Sequence, residues 1–173
     1  MKNISTFSKS FAFITIVSGS IWLGAYFLRL FLNYQLFEGT DLALKSYVTP
    51  ENIHGILYTL LPSVAVTFPS FILMIIFFIL FLISSKLSLK KNGWLFIICI
   101  IIFITLPFEA YLMLIDYKLI LDLISGSFDS QYILTLIRNR IQNLSSFPIV
   151  ELFCYLSCYY FIVFQPLTKI DRT

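Results

Sequence analysis

Acidic residues, histidine and catalytic signatures are what this 173-residue chain is shortest of. Asp and Glu total 9, and charged residues make up 12%, about half the ~25% of an ordinary soluble domain. So little charge excludes a water-facing globular surface. The single histidine, His54, excludes a haem held by two histidine ligands within one chain. The cysteines, Cys99, Cys154 and Cys158, all lie in apolar runs without C-x-x-C spacing, which argues against a disulfide framework or a zinc site. Cys154 and Cys158 stand i, i+4 and read as a helix-packing pair. Glycines number only 6 and form no phosphate-binding loop. G-x-S-x-G, H-E-x-x-H and Asp-rich metal motifs are also missing. No cofactor and no metal are expected. A net charge of +3, scattered along the chain, gives no basic patch for nucleic acid.

What is present is apolar surface. Hydrophobic residues reach 59%, including 19 Phe and 10 Tyr, against about 45–50% apolar in soluble domains. The mean hydropathy is +0.91. The Phe, Ile, Leu and Lys bias fits an AT-rich, bacterial genome. A membrane-spanning helix needs ~20 mainly apolar residues, and four stretches answer: about 11–32, 57–83, 94–115 and 148–165. Lys2 and Lys9 before the first run resemble a signal peptide, but the run continues to spanning length, so an uncleaved span is preferred. The expected fold is all-α: one polytopic membrane domain, a four-transmembrane-helix bundle with a small helical cap on its outer face.

Lysine and arginine orient the spans. Lys2 and Lys9 precede span one; Lys86, Lys90 and Lys91 fill the loop between spans two and three; Lys169 and Arg172 follow span four. Glu38, Asp41, Lys45 and Glu51, then Asp116, Lys118, Asp122, Asp129, Arg138 and Arg140, fall on the opposite side. Both termini are therefore expected in the cytoplasm of a bacterial inner (plasma) membrane. On the outer side, Thr49-Pro50-Glu51 reads as a helix start. The third span should continue outward as far as Ser125-Gly126-Ser127. Residues 130–144 place Ile133, Leu136, Ile137, Ile141 and Leu144 at helical spacing, with Arg138, Arg140 and Gln142 on other faces. Ser145-Ser146-Phe147-Pro148 should break the chain before span four. Pro62, Pro69 and Pro107 should kink their helices.

Each span carries a polar or small-residue stripe, which hydrocarbon forces inward. Arg29 lies ~27 Å along its helix from Phe11 and Glu109 ~22 Å from Trp94, at 1.5 Å per residue. Glu151 and His54 begin spans four and two. These four residues are expected to converge at one depth in the outer leaflet. A lone charge there costs ~2.5–3.5 kcal/mol on insertion scales, so Arg29 is expected to pair with Glu109, Glu151 or both. The cluster is a candidate ion-pair or ligand site. His54 is expected to be exposed or packed on the cap, and could ligate a metal only with carboxylates such as Glu51, Glu109 or Glu151 beside it.

Three functional classes fit these residues. An accessory or scaffold subunit of a larger membrane complex leads, with a membrane-protein partner or a second copy docked in the bilayer. A small transporter or ligand-binding membrane protein using the Arg29/Glu109/Glu151 region is the alternative. An intramembrane enzyme acting on a lipid or quinone, with Glu109 or His54 as base, comes third because no nucleophile accompanies them. A catalytic role is therefore not expected.

Overall fold

A computed structural model describes residues 5–126, 128–144 and 147–168. The order is α1 (Thr6–Gln35), β1 (Phe37–Glu38), β2 (Ala43–Leu44), α2 (Ile53–Tyr58), α3 (Leu61–Ser85), α4 (Gly93–Ser125), α5 (Ser130–Leu144) and α6 (Phe147–Phe164). Four helical stretches are long and apolar enough to cross a membrane: Thr6–Gln35, Ile53–Ser85, Gly93–Ser125 and Phe147–Phe164. The protein is an all-α, multi-pass membrane bundle. Neighbours around it run α1–α3–α4–α6, with α1 lying along α3 and touching α6 only lightly. Lys2, Lys169, Arg172 and the Ser145-Ser146 break fall outside the described residues, whereas Lys9 lies exposed in the first turns of α1.

Helix ends follow local chemistry. Ser5 caps α1, its hydroxyl accepting from the Ser8 amide at 3.2 Å. Gly126, at φ +75°, ends α4 in the left-handed region that glycine adopts without a Cβ penalty. Thr49 does not open a regular helix. The turn starts there, with the Ile53 amide bonded to the Thr49 carbonyl at 3.0 Å, but α2 proper begins at Ile53. Asn52 reverses the expected cap: its side chain accepts from the Thr49 amide at 2.9 Å. The second span is split at Thr59–Leu60, so Pro62 falls in the first turn of α3, where its missing N–H is harmless. Among the described residues, Pro69 and Pro107 lie in helix interiors, beyond the first turn.

Two apolar cores stack along the bundle. The one at the cap end joins Leu36, Leu57, Leu119, Leu123, Ile133 and Ile137. Water can reach the cap, so each buried aliphatic chain there contributes roughly 1.5–3 kcal/mol. The other core, toward the tri-lysine loop, is largely aromatic, with Trp22, Tyr26, Phe71, Phe78, Trp94 and Tyr155. Lipid is as apolar as these side chains, so this half is held by close packing and hydrogen bonds. Gly19 lets α1 approach α3 until an added Cβ would stand 3.1 Å from Met74 Sδ.

The cap is built from α2, α5, the end of α4 and the β1–β2 hairpin. Arg138 ties the hairpin down: its Nε donates to the Leu42 carbonyl at 3.2 Å, and its guanidinium lies 5.5 Å from the Phe37 ring centre. Arg140 does not sit on a face away from the core. It follows Leu136 and Ile137 by four and three residues, which puts it on their buried face.

Candidate functional site

A polar layer separates the two cores. Helix α1 supplies Tyr26 and Arg29, one turn apart. Helix α4 supplies Glu109 and Asp116, seven residues and ~10 Å apart on one face. Helix α5 supplies Arg140 and α6 supplies Glu151. The relative exposures of Arg29, Glu109, Asp116 and Glu151 are 2%, 1%, 2% and 0%.

Asp116 is the hub. Arg29 Nη1 donates to its Oδ2 at 2.6 Å, a short charge-assisted bond. Arg140 Nη1 stands 3.2 Å from Oδ1 but directs its hydrogen bond to the Leu112 carbonyl at 3.1 Å. Asp116 Oδ1 therefore gains a neighbouring charge without a hydrogen bond. Burial, then the positive charge of Arg29, lower the Arg140 guanidinium from its ordinary value, while Asp116 acts against both.

Two helical turns along α4, Glu109 neighbours Glu151 and acts on it through its charge. Tyr26 Oη donates to Glu151 Oε2 at 3.2 Å. Four atoms of the layer lack a hydrogen-bond partner: Arg29 Nη2, Glu109 Oε1, Asp116 Oδ1 and Glu151 Oε1. A cleft of about 20 Å³ between α1, α5 and the start of α6 reaches the layer at Tyr26, Arg29, Asn33 and Arg140. It has room for about one water molecule.

The expected partnership of Arg29 is thus corrected: its bonded carboxylate is Asp116, and Glu109 acts on it only through its charge. The reason is register, because Asp116 is two turns nearer the cap than Glu109. Glu109 and Glu151 do meet. His54 stands apart in the cap, exposed, with its ring 4.3 Å from that of Phe128. It lies on α2, whose buried residues Ile53 and Leu57 pack into the cap core. Among the described residues, no three His, Cys, Asp or Glu side chains are placed to hold a metal ion.

Asp116, Arg140 and Tyr26 extend the site beyond the residues singled out from sequence. Each carried a signal. Asp116 falls seven residues after Glu109, Arg140 completes the Leu136/Ile137 face, and Tyr26 lies one turn before Arg29. No family model, curated protein or solved structure matches the chain.

Proposed function

We propose that the chain is a non-catalytic protein of the bacterial inner membrane, with its termini in the cytoplasm and its cap outside. Its working part is a buried site for one exchangeable proton. The juxtaposition of two buried carboxyls, Glu109 and Glu151, carries this reading. Two ionised carboxylates repel one another when buried side by side, which favours holding a proton on one of them. Charge balance supports the same state. Arg29 and Arg140 face Asp116, Glu109 and Glu151; one proton on the glutamate pair leaves two positive and two negative charges. Loss of that proton leaves a net negative charge in a low-dielectric layer, where solvation is poorest. The narrow cleft would carry water and protons to the layer from the outer side. It has no room for an organic solute.

Difference infrared spectroscopy of purified protein in lipid tests the proposal. A protonated-carboxyl band is expected at neutral pH, and Glu109→Gln and Glu151→Gln should each remove it. Either substitution leaves two cations facing two carboxylates with no proton needed. A wild-type spectrum without that band, or one indifferent to both substitutions, refutes the reading.

Action as a subunit of a larger membrane complex is a second reading, favoured by a recess of about 390 Å³ in the cap, lined by Val48, Pro50, His54, Phe128 and Gln131 among others. A membrane-protein partner would dock there. Purification in mild detergent should then recover a complex that His54→Glu disrupts while the infrared band stays. A monodisperse monomer would count against it.

A further inference from the structure

The cleft that reaches the polar layer is lined by charge of one sign. Its walls carry Arg29 and Asn33 of α1 and Arg140 of α5, beside Tyr26, Tyr34 and apolar neighbours, and none of the lining residues is acidic. Asp116, Glu109 and Glu151 take no part in the lining. Arg29, Asn33 and Arg140 are 2%, 7% and 8% exposed. Each keeps donors unused. Arg140 commits only Nη1, to the Leu112 carbonyl and beside Asp116. Asn33 bonds through its backbone carbonyl, which accepts from the Leu36 amide at 3.2 Å. Among the described residues, neither Arg140 Nη2 nor the Asn33 side-chain amide has a hydrogen-bond partner, and neither is sealed from solvent. The opening both residues line is this cleft. Arg29 shares the wall and leaves Nη2 without a partner.

Buried donors without acceptors call for an occupant that accepts. Two guanidinium groups with no acid between them favour one that is negative. The volume, about 20 Å³, admits a single body near the size of water. Chloride is little larger than that, whereas a tetrahedral oxyanion or a lipid phosphate is too large.

We propose that the cleft binds one monatomic anion of chloride size, held by Arg140 and Asn33 and by the charge of Arg29, and that the anion enters together with a proton. The anion site stands on the cleft alone; the coupling rests on the proton reading above. Without the anion, Arg29 and Arg140 balance Asp116 and one glutamate. The anion adds a negative charge, and neutrality returns when the second glutamate carboxyl is protonated. Tyr26 and Arg29 on α1, Asp116 on α4, Arg140 on α5 and Tyr155 on α6 surround the glutamate pair. Helix α3 turns only the hydroxyls of Ser63, Thr67 and Ser70 inward. By linkage, the proton must strengthen anion binding as much as the anion strengthens proton binding.

Isothermal titration calorimetry of the detergent-purified full chain tests the site, with sodium chloride as probe and sodium gluconate holding the ionic strength. Wild type should bind one chloride saturably. Asn33→Asp sets a carboxylate in the cleft at unchanged size and should weaken binding about tenfold or more, as like-charge contact does. Asn33→Leu removes the donor without adding charge and should weaken it about three- to tenfold, the worth of one hydrogen bond. It provides the second variant should Asn33→Asp fold poorly, with thermal unfolding checked for both. A wild type without saturable binding has a cleft for water only, which overturns the site. Folded Asn33 variants that bind as wild type does overturn it too. Infrared spectroscopy tests the coupling separately. In gluconate Glu109→Gln should show no protonated-carboxyl band, and chloride should restore one, from Glu151. Chloride that binds without restoring that band overturns the coupling and leaves the anion site standing.

Discussion

Charge balance at single residues governs the polar layer, and it makes unusual predictions. Glu109→Gln and Glu151→Gln should each be mild, within about 1 kcal/mol of wild type, because each removes the need for the shared proton and leaves the layer neutral. The double Gln variant should lose about 3–5 kcal/mol, since Asp116 alone then faces two buried guanidinium groups. Chemical denaturation in detergent would show this as a strongly non-additive double-mutant cycle. Asp116→Asn should destabilise more than either single Gln change. It turns the 2.6 Å charge-assisted bond from Arg29 into a weaker neutral one, and the pair can offset only the charge, by releasing its proton. Loss of the infrared band in Asp116→Asn would check that compensation. The residue types were legible from sequence, because a glutamate in a span must face inward. Their pairing was not, because Glu109 and Asp116 share one face of α4 and only the relative height of α1 selects between them.

At the scale of elements, termini and close approaches decide the packing. Gly93 begins α4 under the chain that follows α6: its amide donates to the Leu167 carbonyl at 3.2 Å, and an added Cβ would stand 2.8 Å from Leu167 Cβ. Gly93→Ala should therefore cost about 1–3 kcal/mol, as overpacking does, and expose the segment after Phe164 to protease. Equal cleavage of the variant and wild type would argue that this contact is loose. Helix α5 shows how far pattern reading reaches. Its apolar face was plain from Ile133, Leu136 and Ile137, but the same spacing carries Arg140 inward. A charged residue on an apolar face looks like an error in the pattern until the partner on α4 is known. The split between α2 and α3 was also hidden, since Ile56 through Leu61 contains neither glycine nor proline.

The whole molecule has two ends of different chemistry, a cap fringed with acids and a loop of three lysines. Positive-inside orientation would put the lysine end in the cytoplasm. Alkaline phosphatase fused after Asp129 should then be active, and fused after Asn92 inactive; the reverse pattern would invert the topology and move the proton route to the cytoplasmic side. The number of spans, the inward turn of the polar stripes and the helical nature of 130–144 came from sequence by itself, because hydrocarbon tolerates only closed hydrogen bonding and hidden charge. Tertiary structure alone decided that Arg29 binds Asp116 and that Arg140 turns inward to the polar layer. Those outcomes depend on the axial offset and spacing of helices far apart in the chain, and packing, not local residue pattern, sets both.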